Sequence, residues 1–238
     1  MADTPPVEYL RVLDLHAFYG ESHVLHGLDF TVNRGELVSL LGRNGAGRTT
    51  TLKAILGLVD KRSGSIMING RQVIHWPAHR IARLGVGYCP EERGIFASLT
   101  TEENLMLPPR FSSAGLSVDE IYAMFPNLQE RKRTPGTHLS GGEQQMLAMA
   151  RILRTGARLL LLDEISEGLA PVIVQKLTQV ILALKQRGFT ILMVEQNFRF
   201  AARLADRIYV VERGRVAAEM PAREVEQKQE FIAGLLSV

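Results

Sequence analysis

Residues Gly42 to Thr50 read G-R-N-G-A-G-R-T-T and carry the densest chemical signal in the chain. They follow the apolar run Leu37 to Leu41 and precede a helix-like run from Thr49 to Leu58, which is the order of a phosphate-binding loop. Glycines let successive backbone N–H groups turn inward around a polyphosphate, and the next helix offers the same anion its free N–H groups and positive dipole end. Gly42, Arg43, Asn44, Gly45, Ala46, Gly47, Arg48, Thr49 and Thr50 are therefore expected to cradle phosphates, with the Thr49 hydroxyl on a magnesium ion. The usual pattern has lysine where this chain has Arg48, so phosphate binding is expected and hydrolysis is left open. The plainer alternative is a Gly-rich turn that binds nothing.

A second constellation weighs against that alternative. Asp163 and Glu164 end the apolar run Leu159 to Leu162. An aspartate at that place holds magnesium against the phosphates, and the adjacent glutamate can orient and deprotonate the attacking water. Two acids at a strand end are common by themselves; beside a phosphate loop they make the other half of a nucleotide site.

Holding these groups in place requires a strand before each of them and helices around the strands. Strands are expected at Leu10 to Leu15, Val24 to Val32, Leu37 to Leu41, Ser65 to Asn69 and Gly85 to Tyr88, with turns at Tyr19-Gly20 and Asn69-Gly70. Pro77 to Arg83 reads as a short helix started by proline. From about Pro90 to Gly136 proline, polar residues and helix-like segments such as Ser117 to Phe125 replace the strand pattern, which predicts an inserted helical lobe. A helix at Gly142 to Arg154, the central strand Leu159 to Leu162 and then helix, strand, helix and strand follow through Pro171 to Arg187, Thr190 to Val194, Phe198 to Leu204 and Arg207 to Val211. A turn at Gly214, one last strand and a helix over Pro221 to Leu236 close the chain. The alternation predicts a mostly parallel sheet wrapped by helices; joined with the phosphate loop it is read as an α/β P-loop NTPase core, helices on both faces of the sheet, with an antiparallel β edge.

Composition narrows the classes. At 238 residues, 46% hydrophobic and 22% charged, the chain is long enough for a substantial core and is not a disordered composition. A net charge of +3 with interspersed signs does not argue for nucleic acid, and none is expected as a partner. Cys89 is the only cysteine, which excludes an internal disulfide and fits a reducing compartment. His23/His26 and His75/His79 have metal-compatible spacings, but no nearby sequence neighbour completes a ligand set. The N-terminus has no signal-peptide pattern and no apolar run reaches the ~18 residues of a membrane span, so a soluble chain that meets the membrane through a partner is expected.

The most specific stretch is L-S-G-G-E-Q-Q, Leu139 to Gln145. Here the sequence resembles the ATP-binding cassette family, the nucleotide-binding subunits of ABC transporters, over nearly its whole length. The resemblance implies one cassette domain over 1–238, with 1–90 and 137–238 as core and about 91–136 as helical lobe and lid loop. It implies that Ser140, Gly141, Gly142 and Glu143 contact ATP held by the opposite subunit, which suits a serine-capped helix N-terminus. Tyr19 matches the aromatic residue that stacks on adenine, although a strand-end tyrosine in the core is the alternative. Pro90-Glu91 lies where the family's lid loop has glutamine, giving Glu91 to γ-phosphate sensing and the metal; Gln196 falls at the switch position; Ser166 to Pro171 matches a loop that touches the partner cassette.

The combination of P-E at the lid, S-E-G-L-A-P after the acids and V-E-Q-N at the switch looks like the cassettes of branched-chain amino acid importers. Arg48 and Ile165 depart from that pattern, which has lysine and proline there. The resemblance implies an ATPase coupled to transport, using ATP and Mg2+, paired with itself or a related cassette, on the cytoplasmic face of the membrane against permease subunits fed by a substrate-binding protein. A non-hydrolytic, ATP-dependent clamp is the rival that Arg48 raises.

Overall fold

The computed structural model describes residues 7–225, 227, 228, 231, 232 and 234. Strands β1 (Glu8–Tyr19) and β2 (Ser22–Asn33) pair antiparallel from Glu8↔Asn33 to Tyr19↔Ser22. Both outrun the expected apolar cores of the segments, because ladder pairing continues through polar residues on the open face. β3 (Leu37–Leu41) is buried at every position and leads into the Gly42 loop and α1 (Arg48–Leu56). β4 (Lys61–Ile68) and β5 (Arg71–Gln72) form the expected hairpin, with φ of 47° at Asn69 and 75° at Gly70. Pro77 precedes α2 (Ala78–Ala82), and β6 (Val86–Cys89) follows.

The lobe contains α3 (Thr101–Met106), α4 (Val118–Met124) and α5 (Pro126–Glu130). The first two open on reciprocal caps, Thr100 with Glu103 and Ser117 with Glu120, which start short helices where apolar periodicity is too brief to do so. Then come α6 (Gly141–Arg154), β7 (Leu159–Asp163), α7 (Pro171–Gln186), β8 (Thr190–Glu195), α8 (Phe198–Leu204), β9 (Arg207–Glu212) and β10 (Arg215–Pro221). Pro221 ends a strand, and Ala222–Glu224 form a 3-10 turn, so the helix expected from Pro221 does not start there. Part of that expected helix lies outside the described residues.

Two sheets result, ordered β2-β1-β4-β5 and β10-β9-β3-β8-β7-β6. The first is antiparallel; in the second only β10 runs against its neighbour. Successive residues of the parallel strands point to opposite faces. Leu40, Leu161 and Val194 join a core shared with the antiparallel sheet and α1, while Leu41, Leu162 and Met193 join a core shared with α6, α7 and the lobe. A sheet covered on both sides explains why β3, β7 and β8 read as unbroken apolar runs. Their register places Leu41 beside Glu195 and Asp163 beside Val194, so the loop after β3 and the acids after β7 meet at one sheet edge.

Candidate functional site

At that edge lies a cleft of 290 Å³, lined by Val24, Asn44, Gly45, Gly47, Arg48, Thr49, Thr50, Glu91, Glu164 and Glu167. Gly47 has φ 102°, and a Cβ there would lie 2.7 Å from Leu25 Cδ2, so the turn into α1 admits only glycine. No side chain caps α1 at Gly47, which leaves its first-turn N–H groups for a ligand. Gly42 and Ala46 are buried behind the loop, and Arg43 is exposed outside the cleft.

Thr49 and Asp163 are brought together. The Thr49 hydroxyl donates to Asp163 Oδ1 at 2.8 Å, and the Tyr88 hydroxyl donates to Oδ2 at 2.8 Å. Burial raises the Asp163 pKa, opposed by these two hydrogen bonds and by Lys53. A hydroxyl and a carboxylate in contact beside a loop of free N–H groups is a donor set suited to Mg2+. Sequence reasoning missed Tyr88, whose only signal was a phenol at the end of a buried strand, needing a partner.

Arg48 does not reach freely into the cleft. Its side chain is 3% exposed, and Nη2 donates to Glu164 Oε1 at 2.7 Å and to Asn44 Oδ1 at 3.1 Å. Nη1 is buried without a hydrogen-bond partner among the described residues. Glu164 has φ 46°, a left-handed backbone. Burial and a hydrogen bond with Glu167 raise its pKa against the pull of Arg48, and the charges of Glu167 and Glu91 add to the rise. Carboxylate oxygens of Glu91, Glu164 and Glu167 lie within 4.8 Å of one another.

Other expected residues stand outside the cleft. Tyr19 ends β1 and is 38% exposed, so it is not a core tyrosine. Gln196 is exposed just after β8, while its neighbour Glu195 is buried and accepts hydrogen bonds from Ser166 N and Oγ. Ser140 caps α6: its Oγ accepts from Glu143 N at 3.3 Å, and Glu143 Oε2 accepts from Ser140 N at 2.7 Å. Gly141 faces the guanidinium of Arg93, 3.0 Å from where a Cβ would sit, and Gly142 is buried. His23 is exposed; its Nε2 lies 3.0 Å from His16 Nδ1, and His16 Nε2 lies 3.1 Å from the Asp14 carboxylate.

Residues 25–167 match the model of the ABC transporter family. The chain belongs to the ABC transporter ATPase family. A high-affinity branched-chain amino acid transport ATP-binding protein of Pseudomonas aeruginosa is 42% identical over 202 residues, 84% of this chain and 87% of that protein. A probable branched-chain amino acid transport ATP-binding protein of Archaeoglobus fulgidus is 38% identical over 93% of this chain and 96% of its own. A lipopolysaccharide export ATP-binding protein of Haemophilus influenzae is 35% identical over 88% and 89%. Among solved structures, the ATP-binding subunit of an ABC transporter superposes with a TM-score of 0.76 at 32% identity, over 97% of this chain and 95% of that one. A dimeric bacterial ABC transporter cassette gives 0.79 at 25% identity, over 90% and 99%. This ABC ATPase is thus of a class of transporter subunits that hydrolyse ATP, and the rival reading of a clamp without turnover is set aside. Among the described residues no helix is long and apolar enough to cross a membrane.

Proposed function

We propose that the whole chain is one cassette and that it drives a membrane permease importing branched-chain or similar hydrophobic amino acids. The observation that carries the catalytic part is the 2.8 Å contact of Thr49 with Asp163 at a cleft that also holds Glu164. The loop from Gly42 to Thr50 positions the phosphates of ATP, Tyr19 stacks on adenine, and Thr49 and Asp163 hold Mg2+ with Glu91 close by. Bound Mg2+ supplies neutralisation of phosphate charge. Glu164 accepts a proton from the attacking water. Glu91 and Gln196 sense the terminal phosphate. Ser140, Gly141, Gly142 and Glu143 serve the nucleotide of a second cassette, identical or related, so that two chains close on two ATP molecules.

The amino acid substrate rests on the two branched-chain relatives, and the lipopolysaccharide export relative at 35% identity favours a second reading in which a lipid is moved instead. Under the import reading the cassette sits peripherally on the cytoplasmic face, and a separate binding protein delivers the amino acid to the permease. Copurification of the permease, followed by mass spectrometry of ligand on its binding protein, separates the readings. Captured leucine, isoleucine or valine, with ATP-dependent uptake in vesicles, supports import; a lipid or glycolipid on the membrane partner overturns it.

A further inference from the structure

Arg48, one departure from the family pattern, pairs with Glu164, the residue just before Ile165, the other departure. A proline at 165 would press the preceding residue toward extended backbone, whereas isoleucine leaves Glu164 free to hold φ 46°. In that conformation the Glu164 carboxylate lies 2.7 Å from Arg48 Nη2, with Asn44 on the same nitrogen. The other terminal nitrogen, Nη1, is buried without a partner among the described residues, on a side chain that lines the cleft. A guanidinium has a rigid fork of donors and can keep one partner while presenting a second edge to an incoming oxyanion; the ammonium of lysine is a single point of charge.

We infer that Arg48 is a latch: without nucleotide it holds Glu164 against the phosphate loop, and it lets go when nucleotide phosphate takes the guanidinium. The idea rests on the proposed roles of the loop and of Glu164. Phosphate entering the cleft draws the guanidinium outward, and the donors of Nη1, buried without a partner, gain what they lack. It then competes with Glu164 for Nη2. Once the guanidinium turns to phosphate, the pull that holds Glu164 against the loop is gone, and Glu164 stays beside Glu91 and Glu167, whose carboxylates lie within 4.8 Å. Arg48 is in this sense a positioning residue for Glu164 as well as a phosphate ligand. The latch sets a cost on nucleotide binding and keeps the base out of place while the site is empty.

The test is a binding cycle with ADP in magnesium-free buffer, read by isothermal titration calorimetry on the intact protein. Glu164→Ala, Arg48→Lys and the double variant are compared with the parent, and melting curves check that each folds. With Arg48 present, Glu164→Ala should tighten ADP at least about fivefold; with lysine at 48 the same change should give less than about twofold. Glu167→Ala removes a charge from the same cleft without touching the guanidinium and should give equal gains in both backgrounds. Glu164→Gln, which keeps the side-chain shape, takes the place of the alanine variant if that one fails to fold. Equal gains from Glu164 substitution in both backgrounds, or no gain at all, overturn the latch and leave only the general repulsion of an acidic cleft. Undiminished ATP hydrolysis by Glu164→Gln would instead overturn the catalytic role of Glu164, without altering the ADP cycle.

Discussion

Glu195 is 2% exposed and, among the described residues, accepts hydrogen bonds from Ser166 alone, and burial pushes its pKa from 4.5 up to about 7. Between those values the folded chain holds a proton that the unfolded chain has lost, so stability falls as pH rises through this window. The full penalty, up to roughly 3 kcal/mol, is present above the folded pKa. Glu195→Gln keeps the shape and an acceptor for Ser166 while removing the charge. Its melting temperature should exceed the parent's by several degrees at pH 8 and match it at pH 5; an equal gain at both values would show that charge is not the cause. Arg48 gives the second prediction at this scale. Lysine keeps the charge but cannot span Asn44 and Glu164, so Arg48→Lys should raise steady-state hydrolysis at least about tenfold, equivalent to about 1.4 kcal/mol of barrier. Turnover equal to the parent's, measured with the partner cassette and permease present, would show that the loop is adapted to the guanidinium. Much of the site was legible because each half is a contiguous string: G-R-N-G-A-G-R-T-T supplies the loop and D-E the acids. What stayed hidden are pairings across the fold, Arg48 with Glu164 over 116 positions and Tyr88 with Asp163 over 75, because no local pattern encodes them.

At the scale of elements, the strands and the longer helices were legible because burial imposes a period on them, unbroken for β3, β7 and β8 and helical for α6 and α7. The short lobe helices were only partly so, since reciprocal caps rather than periodicity define α3. The seating of α6 on α7 was not legible at all. Gly142 touches Ile173 so closely that a Cβ would lie 2.8 Å from both Cγ1 and Cγ2. Overpacking of this kind typically costs 1–3 kcal/mol. Gly142→Ala should therefore lower stability by about 2 kcal/mol in urea denaturation, and adding Ile173→Ala should recover part of that loss. Additive losses in the double variant would mean that the glycine is needed for something other than room against α7. Because Ser140 stands two residues before this contact, the same packing sets where the α6 N-terminus points.

For the whole molecule, the decisive fact is that Ser140 to Glu143 do not line the cleft that holds Gly47, Thr49 and Glu164. One chain thus carries the cleft and, away from its lining, the Ser140-capped N-terminus of α6, which is 14 residues long. On the proposed reading two chains face each other with each α6 over the other's cleft, an isologous arrangement that closes on itself by two-fold symmetry. Nucleotide that contacts both chains then stabilises the pair by mass action, and hydrolysis removes that support. With Glu164 in its proposed role as base, Glu164→Gln should slow the exit from the closed state, so that ATP converts the variant to a dimer visible by light scattering while ADP leaves it monomeric. Ser140→Arg places a long cation at the α6 N-terminus, outside the cleft of its own chain. It should spare ATP binding by the monomer and abolish the ATP-driven dimer when combined with Glu164→Gln. A double variant that still dimerises with ATP would mean that the α6 N-terminus is not part of the closing surface, and that nucleotide is held by one chain alone.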